Sequence, residues 1–183
     1  VGRAFHNATA GRPGPVVLAL PEDMLTERSH ALVTTHYRTV ESGIAPDTLA
    51  SIRQALANAE KPLVIIGGGG WDQEGCDAIR RFAEAWDLPV AVSFRCQGYF
   101  DATHPNYAGD AGLGVNPQLV KAIQDADVLL AVGPKLGEST TGGYTLIDIP
   151  MPKNTLIHIH ADAEELGRVY QPSIAVNASM RAA

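Results

Sequence analysis

A chain of 183 residues with 45% hydrophobic and 19% charged side chains has the make-up of a globular domain, and most of such a chain can be buried in one core. Its net charge is −6, and no basic stripe gathers the 14 Lys and Arg, which argues against nucleic acid and anionic membrane as partners. No apolar run approaches the roughly 18 residues of a membrane helix, and Val1-Gly2-Arg3-Ala4-Phe5-His6 has no signal-type apolar segment, so neither insertion nor export is expected.

Val16-Val17-Leu18-Ala19-Leu20 is a continuous apolar run between Pro13-Gly14-Pro15 and Pro21, which predicts a buried parallel strand. Residues 22–45 are polar and aperiodic and read as a linker. A helix is expected after Pro46, with Asp47 in its first turn and Leu49, Ile52, Leu56 and Ala59 on one face. The strand Leu63-Val64-Ile65-Ile66 follows, then four glycines, then a helix from Gln73 to Trp86 with Ile79, Phe82, Ala83 and Trp86 at helical spacing. Residues 88–92 form the next strand and residues 94–114 a long loop rich in Gly, Asp and Asn. A helix over 116–125 leads to the strand 128–132, closed by Gly133-Pro134. After another loop come the strand 155–159 and a short helix at about 163–169. Strands alternating with helices predict an α/β fold, a Rossmann-like parallel sheet with helices on both faces, built from right-handed crossovers.

An apolar strand running into Gly67-Gly68-Gly69-Gly70 and then a helix is the grammar of a nucleotide-binding turn, because a missing Cβ lets a phosphate approach the backbone. The dinucleotide spacing G-x-G-x-x-G nevertheless fails. Counted from Gly67, its third glycine falls on Asp72; counted from Gly68, on Gln73. The acid expected after the next strand is also missing, since Val92 is followed by Ser93 and Phe94. Parallel sheets bind ligands at the carboxyl ends of their strands, and those ends collect Gly67, Gly68, Gly69, Ser93, Phe94, Gly133, Lys135 and Asp162. Lys135 is placed to face a phosphate or to stand in solvent. Asp162 is placed to hold a ribose hydroxyl or, with Glu164 and Glu165 behind it, to cap a helix.

Other constellations carry less. His158 and His160 share one face of a strand but lack a third ligand at a supporting spacing. Ser139-Thr140-Thr141 with His104 and Asp110 could be drawn as a triad, without a nucleophile elbow. Cys96 sits beside Arg95, which favours a thiolate, but a plain loop thiol is the simpler reading. Cys76 and Cys96 have no C-x-x-C spacing and are expected to be free thiols of a reducing compartment, the cytoplasm. An opening on Val1 instead of methionine hints at a piece of a longer protein.

The order of motifs resembles a known family. Gly11-Arg12-Pro13-Gly14-Pro15-Val16 with Leu20-Pro21-Glu22-Asp23 is similar to the end of the pyrimidine-binding domain of thiamine-diphosphate-dependent enzymes of the acetolactate synthase, pyruvate oxidase and 2-keto acid decarboxylase type. Ala59-Glu60-Lys61-Pro62, the strand with Gly67-Gly68-Gly69, Leu88-Pro89-Val90, Gly98-Tyr99-Phe100 with His104-Pro105, Gly109-Asp110-Ala111-Gly112, the run from Ala126 to Gly133, and Ile157-His158-Ile159 before Asp162 resemble its central domain. The resemblance implies residues 1–23 as the tail of the preceding domain, 24–45 as a linker and 46–183 as the central domain. It implies a parent that acts on a 2-keto acid by carboligation or decarboxylation as a homodimer or homotetramer. Thiamine diphosphate and Mg²⁺ would sit on flanking pyrimidine- and diphosphate-binding domains, through a glutamate and a GDG…N motif absent here, so no catalytic residue or metal ligand falls in this chain and the fragment alone would be inactive.

Within the central domain the family binds FAD, ADP or nothing. Carried over, Gly67, Gly68, Gly69, Ser93, Phe94, Gly133 and Asp162 would line the nucleotide. Lys135-Leu136-Gly137-Glu138 stands where the flavin enzymes carry Arg-Phe-Asp-Asp, and Asp110-Ala111-Gly112-Leu113-Gly114 where Gly-Met-His-Gly is common. A free-standing nucleotide-binding regulatory module of the same fold is the alternative, and a sirtuin-like NAD consumer a more distant one.

Overall fold

The computed structural model describes residues 1–32 and 35–183. The first helix is α1 (Gly2–Thr9), and the alternation of helices and strands begins at α2 (Pro46–Ala57). Then come β1 (Pro62–Ile66), α3 (Gln73–Trp86), β2 (Val90–Ser93), β3 (Tyr107–Ala111), α4 (Pro117–Asp125), β4 (Val128–Val132), β5 (Thr155–His160) and β6 (Ile174–Asn177). The strands form one six-stranded sheet in the order β3-β2-β1-β4-β5-β6, and every neighbouring pair is parallel.

The helices begin where their sequences supply caps. Asp72 accepts from the Gly75 N–H and starts α3; Asn116 accepts from the Gln118 N–H and Pro117 opens α4. Period-2 alternation divides β1 between two cores. Val64 and Ile66 join Ile52 and Leu56 of α2 and Ile79 and Ala83 of α3 on one face. Leu63 and Ile65 join Leu119 and Ile123 of α4 on the other. The expected helices on both faces are therefore present, and β4 is buried along its whole length. Asp127 ties the sheet's lower edge together: its carboxylate accepts from the N–H groups of Glu60 (2.6 Å), Lys61 (3.0 Å) and Val128 (2.8 Å).

Four features depart from the sequence reading. Residues 94–114 are not all loop, because they contain β3, an edge strand. A register shift between Val90 and Ala91 on its partner β2 and a positive φ of 128° at Gly109 disguise it, and a Cβ at Gly109 would press on Leu119. The pattern after residue 169 yields the unexpected strand β6. The helix expected over 163–169 is one 3₁₀ turn, Ala163–Glu165, and Gly167 stands just beyond it at φ 77°. Residues 16–20 are not a buried strand. They belong to no strand, Val17 is 93% exposed, and among the described residues no strand lies beside them. An apolar run needs a hydrogen-bonding neighbour to become a strand, and this one has none within the described sheet. Among the described residues of 22–45, one 3₁₀ turn, Asp23–Thr26, precedes α2 and no strand occurs.

Candidate functional site

The strand order reverses direction between β1 and β4, since β1 leads outward to β2 and β3 while the chain returns to β4 on its other side. Open parallel sheets bind ligands in the crevice outside the carboxyl ends at such a point. Ile66 and Val132 are paired in register there, so Gly67 and Gly133 leave the sheet side by side. The Gly67 N–H donates to Val132 O (3.1 Å) and the Gly133 N–H to Ile159 O (2.8 Å).

Two of the four glycines are consumed by the protein itself. A Cβ on Gly67 would overlap the Ser93 side chain, and one on Gly68 (φ 73°) would overlap the Gly133 carbonyl. Gly133 (φ 85°) is equally confined, between the Gly67 carbonyl and the Met180 sulfur. The Trp71 indole donates to Gly67 O (2.7 Å), the Tyr99 hydroxyl to Gly68 O (2.9 Å), and the two rings lie 5.6 Å apart. Gly69 alone faces open space, and the N–H groups of Gly68, Gly69 and Gly70 make no backbone hydrogen bond among the described residues. The helix that follows is no anion seat, because the Asp72 carboxylate already occupies its N-terminus.

The structure brings Gly67, Gly68, Ser93 and Gly133 into one packed corner and leaves Gly69 at its rim. Phe94 is half-buried beside Gly112 and carries the Arg95 guanidinium over its ring at 5.2 Å. Asp162 is a cap, its Oδ1 accepting from the Glu164 N–H at 3.0 Å. Lys135 does not stand free, because its Nζ lies 3.6 Å from Glu165. Glu165, whose side chain is 6% exposed, also receives Arg168 at 2.9 Å and Arg12 at 3.7 Å. Three cations thus converge on one buried carboxylate. Sequence reasoning missed this cluster, as it missed Trp71, Tyr99 and Met180. Arg12 and Arg168 are far apart in sequence, and only the regular run Glu165-Leu166-Gly167-Arg168 hinted at a local pair.

The histidines of β5 are structural. His158 is buried, and its Nε2–H donates to Pro134 O at 3.0 Å. Burial pushes its pKa down from 6.5 to about 4, against the Pro134 hydrogen bond, which favours the charged form. His160 accepts the Asp162 N–H at 3.0 Å. The triad drawn on paper is dispersed: His104 pairs with Glu84, Asp110 with Gln97, and Thr141 donates to Gly137 O. Both cysteines are free thiols. Among the described residues no three His, Cys, Asp or Glu side chains are grouped to hold a metal, and no helix is long and apolar enough to cross a membrane.

Space at this edge is divided. A narrow cleft of about 100 Å³ lies between Gly69-Gly70, Ala161 and the stretch holding Gly11 and Pro13, which crosses above it. A wider one of about 470 Å³ opens between residues 112–115 and the Glu138–Gly143 turn. The family described as the central domain of thiamine pyrophosphate enzymes matches residues 49–183. The chain belongs to this family. It is 29% identical over 184 residues to the acetolactate synthase isozyme 2 large subunit of Escherichia coli strain K12, an alignment that covers 100% of this chain and 33% of that protein. It is 26% identical to the acetolactate synthase large subunit of Corynebacterium glutamicum, over 96% of this chain and 28% of the relative. The acetolactate synthase of Mycobacterium bovis is 30% identical over 92% of the chain and 27% of the relative. The chain therefore spans about a third or less of the curated relatives it matches.

Thiamine diphosphate and its divalent cation do not fit this central domain. Its closest approach to the GDG…N pattern is Gly109-Asp110-Ala111, on an edge strand where the Asp110 carboxylate pairs with Gln97.

Proposed function

We propose that this chain is the middle domain of a longer thiamine-diphosphate-dependent enzyme that acts on a 2-keto acid, by acetolactate synthase-like carboligation or by decarboxylation. In this reading residues 1–23 are the tail of a pyrimidine-binding domain, residues 24–45 the linker and residues 46–183 the central domain. Thiamine diphosphate and Mg²⁺ sit on the flanking domains of a homo-oligomeric cytoplasmic parent. The observation that carries the reading is the alignment of acetolactate synthases along nearly the whole chain, tail included. The exposed, unpaired run at residues 16–20 supports it, since such a run is a strand in search of another sheet. This chain alone then has no turnover on 2-keto acids with added thiamine diphosphate and Mg²⁺. The decisive test is the flanking coding sequence: without a GDG…N motif downstream the enzyme reading fails, and the free-standing module takes its place.

The crevice at the β1–β4 switch point is proposed as a nucleotide seat for FAD or ADP. Its support is chemical. Unused N–H groups at Gly68–Gly70 and the cations Arg12, Lys135 and Arg168 suit a diphosphate, and the cleft beside Gly112 has the volume of a small-ligand pocket. Isothermal titration with FAD and with ADP tests this directly, together with a search for flavin absorbance in the purified protein. Lys135→Ala should weaken either ligand about tenfold. Absence of heat with both leaves the domain as a scaffold.

A further inference from the structure

Among the described residues Glu165 is the single acidic side chain that the fold buries. A carboxylate is costly to take out of water unless it is paired, so its burial calls for a reason beyond packing. The backbone fixes it before the charges act. Asp162 caps the 3₁₀ turn Ala163–Glu165. Gly167, at φ 77°, then swings the chain so that Arg168 returns over the turn, and its Nη1 donates to Glu165 Oε1 at 2.9 Å.

The other two cations stand differently. Arg12 Nη1 lies 3.7 Å and Lys135 Nζ 3.6 Å from the same Oε1, within ion-pair range but beyond hydrogen-bond distance. Neither side chain makes a hydrogen bond among the described residues, and both are about half exposed. Their positions are held while their N–H donors stay unspent. The two backbones are held as well. Arg12 stands between Gly11, which lies against the Ala161 carbonyl at φ 62°, and Pro13, which restricts the residue before it. Lys135 follows Pro134, whose carbonyl accepts from His158. Two cations this close to one oxygen repel each other, and with that oxygen neutral each would swing into solvent. Lysine and arginine carry large rotamer entropies, so a ligand that must gather them from solvent binds more weakly than one that meets them in place.

We infer that Glu165 is the positioning residue of the nucleotide seat: it gathers Arg12 from the tail and Lys135 from the end of β4, donors free, for the diphosphate of an incoming nucleotide. The inference rests on the reading of this crevice as a nucleotide seat.

The test is isothermal titration with ADP and with FAD, on variants whose far-UV circular dichroism shows them folded. Glu165→Gln keeps the size of the side chain and can still accept from Arg168, but removes the charge; it should weaken binding about tenfold. Glu165→Asp keeps the charge and leaves a gap; it should stay within about threefold of the wild type. A role in packing alone predicts the reverse order, mild for Gln and severe for Asp, and that order overturns the inference. Tighter binding by Glu165→Gln also overturns it and makes Glu165 a competing anion. The same change is read in the Lys135→Ala background, which removes one of the cations left around the vacant charge and keeps the comparison open if Glu165→Gln alone does not fold. There it should cost only about threefold, since Arg12 alone is left to misplace, and a full tenfold loss overturns action through Lys135. A wild-type chain that gives no heat with either nucleotide overturns the seat and the inference together.

Discussion

Residues 16–20 and residues 63–66 are near twins in sequence, Val-Val-Leu-Ala-Leu against Leu-Val-Ile-Ile, and they meet opposite fates. The second is strand β1, with every side chain from Leu63 to Ile66 at 2% exposure or less. The first belongs to no strand and faces solvent, from 41% at Val16 to 93% at Val17. Composition states a demand for a sheet, and the neighbours decide whether it is met. Residues 62–66 find β4 on one side and β2 on the other; the earlier run finds no strand among the described residues.

The contrast is broken most sharply by truncation. Leu129→Ala in β4 empties a fully buried site and should cost about 3–4 kcal/mol in chemical unfolding, whereas Val17→Ala should change stability by less than about 0.5 kcal/mol. Equal losses at the two positions would mean that the earlier run is packed in solution.

Glycines sharpen it next. Gly133→Ala places a Cβ on the Gly67 carbonyl at a positive φ and should cost about 3 kcal/mol, while Gly14→Ala, with nothing within 4 Å, should be silent.

The third probe is pH. His158 is held neutral in the fold, with a pKa near 4 against 6.5 unfolded. Below pH 6.5 the unfolded chain takes up a proton that the folded one resists. Stability is therefore intact above 6.5 and falls as pH drops toward 4, by up to about 3 kcal/mol. His158→Gln should flatten that part of the urea-midpoint profile, and an unchanged slope would remove His158 as its cause.

The smallest effect in the core half is expected at Asp127. Burial works against its charge, but the N–H groups of Glu60, Lys61 and Val128 outweigh this and hold its carboxyl below the usual range. Asp127→Ala should cost about 2 kcal/mol, measured by thermal melting, by freeing those donors.

The elements that could be read from sequence are those whose signal is local. Helix α3 shows its apolar face at helical spacing behind the Asp72 cap, and β4 is an unbroken apolar run; both lie where the residues said. β3 was hidden because Tyr107-Ala108-Gly109-Asp110-Ala111 is an edge strand whose glycine and aspartate mimic a turn. β6 was hidden because its partners are supplied by β5, not by its own four residues. The glycine corner was legible as a place, but the packing that requires two of its glycines was not. Gly67 and Gly68 are small because Ser93 and Gly133 press on them, a reason visible only after β1, β2 and β4 are side by side. The cation cluster at Glu165 likewise draws Arg12, Lys135 and Arg168 from three separate stretches, and no spacing announces it.

The punctuation of residues 16–20 has a consequence for how the protein keeps apart from its own copies. A bare apolar strand is a template for cross-β growth, since each copy offers the same unpaired ladder to the next. Pro13 and Pro15 close one end of this run and Pro21 the other. Proline lacks the N–H that a ladder requires, so a docking strand can register over only the five residues between them. The prolines that frame the run thus act as gatekeepers against aggregation.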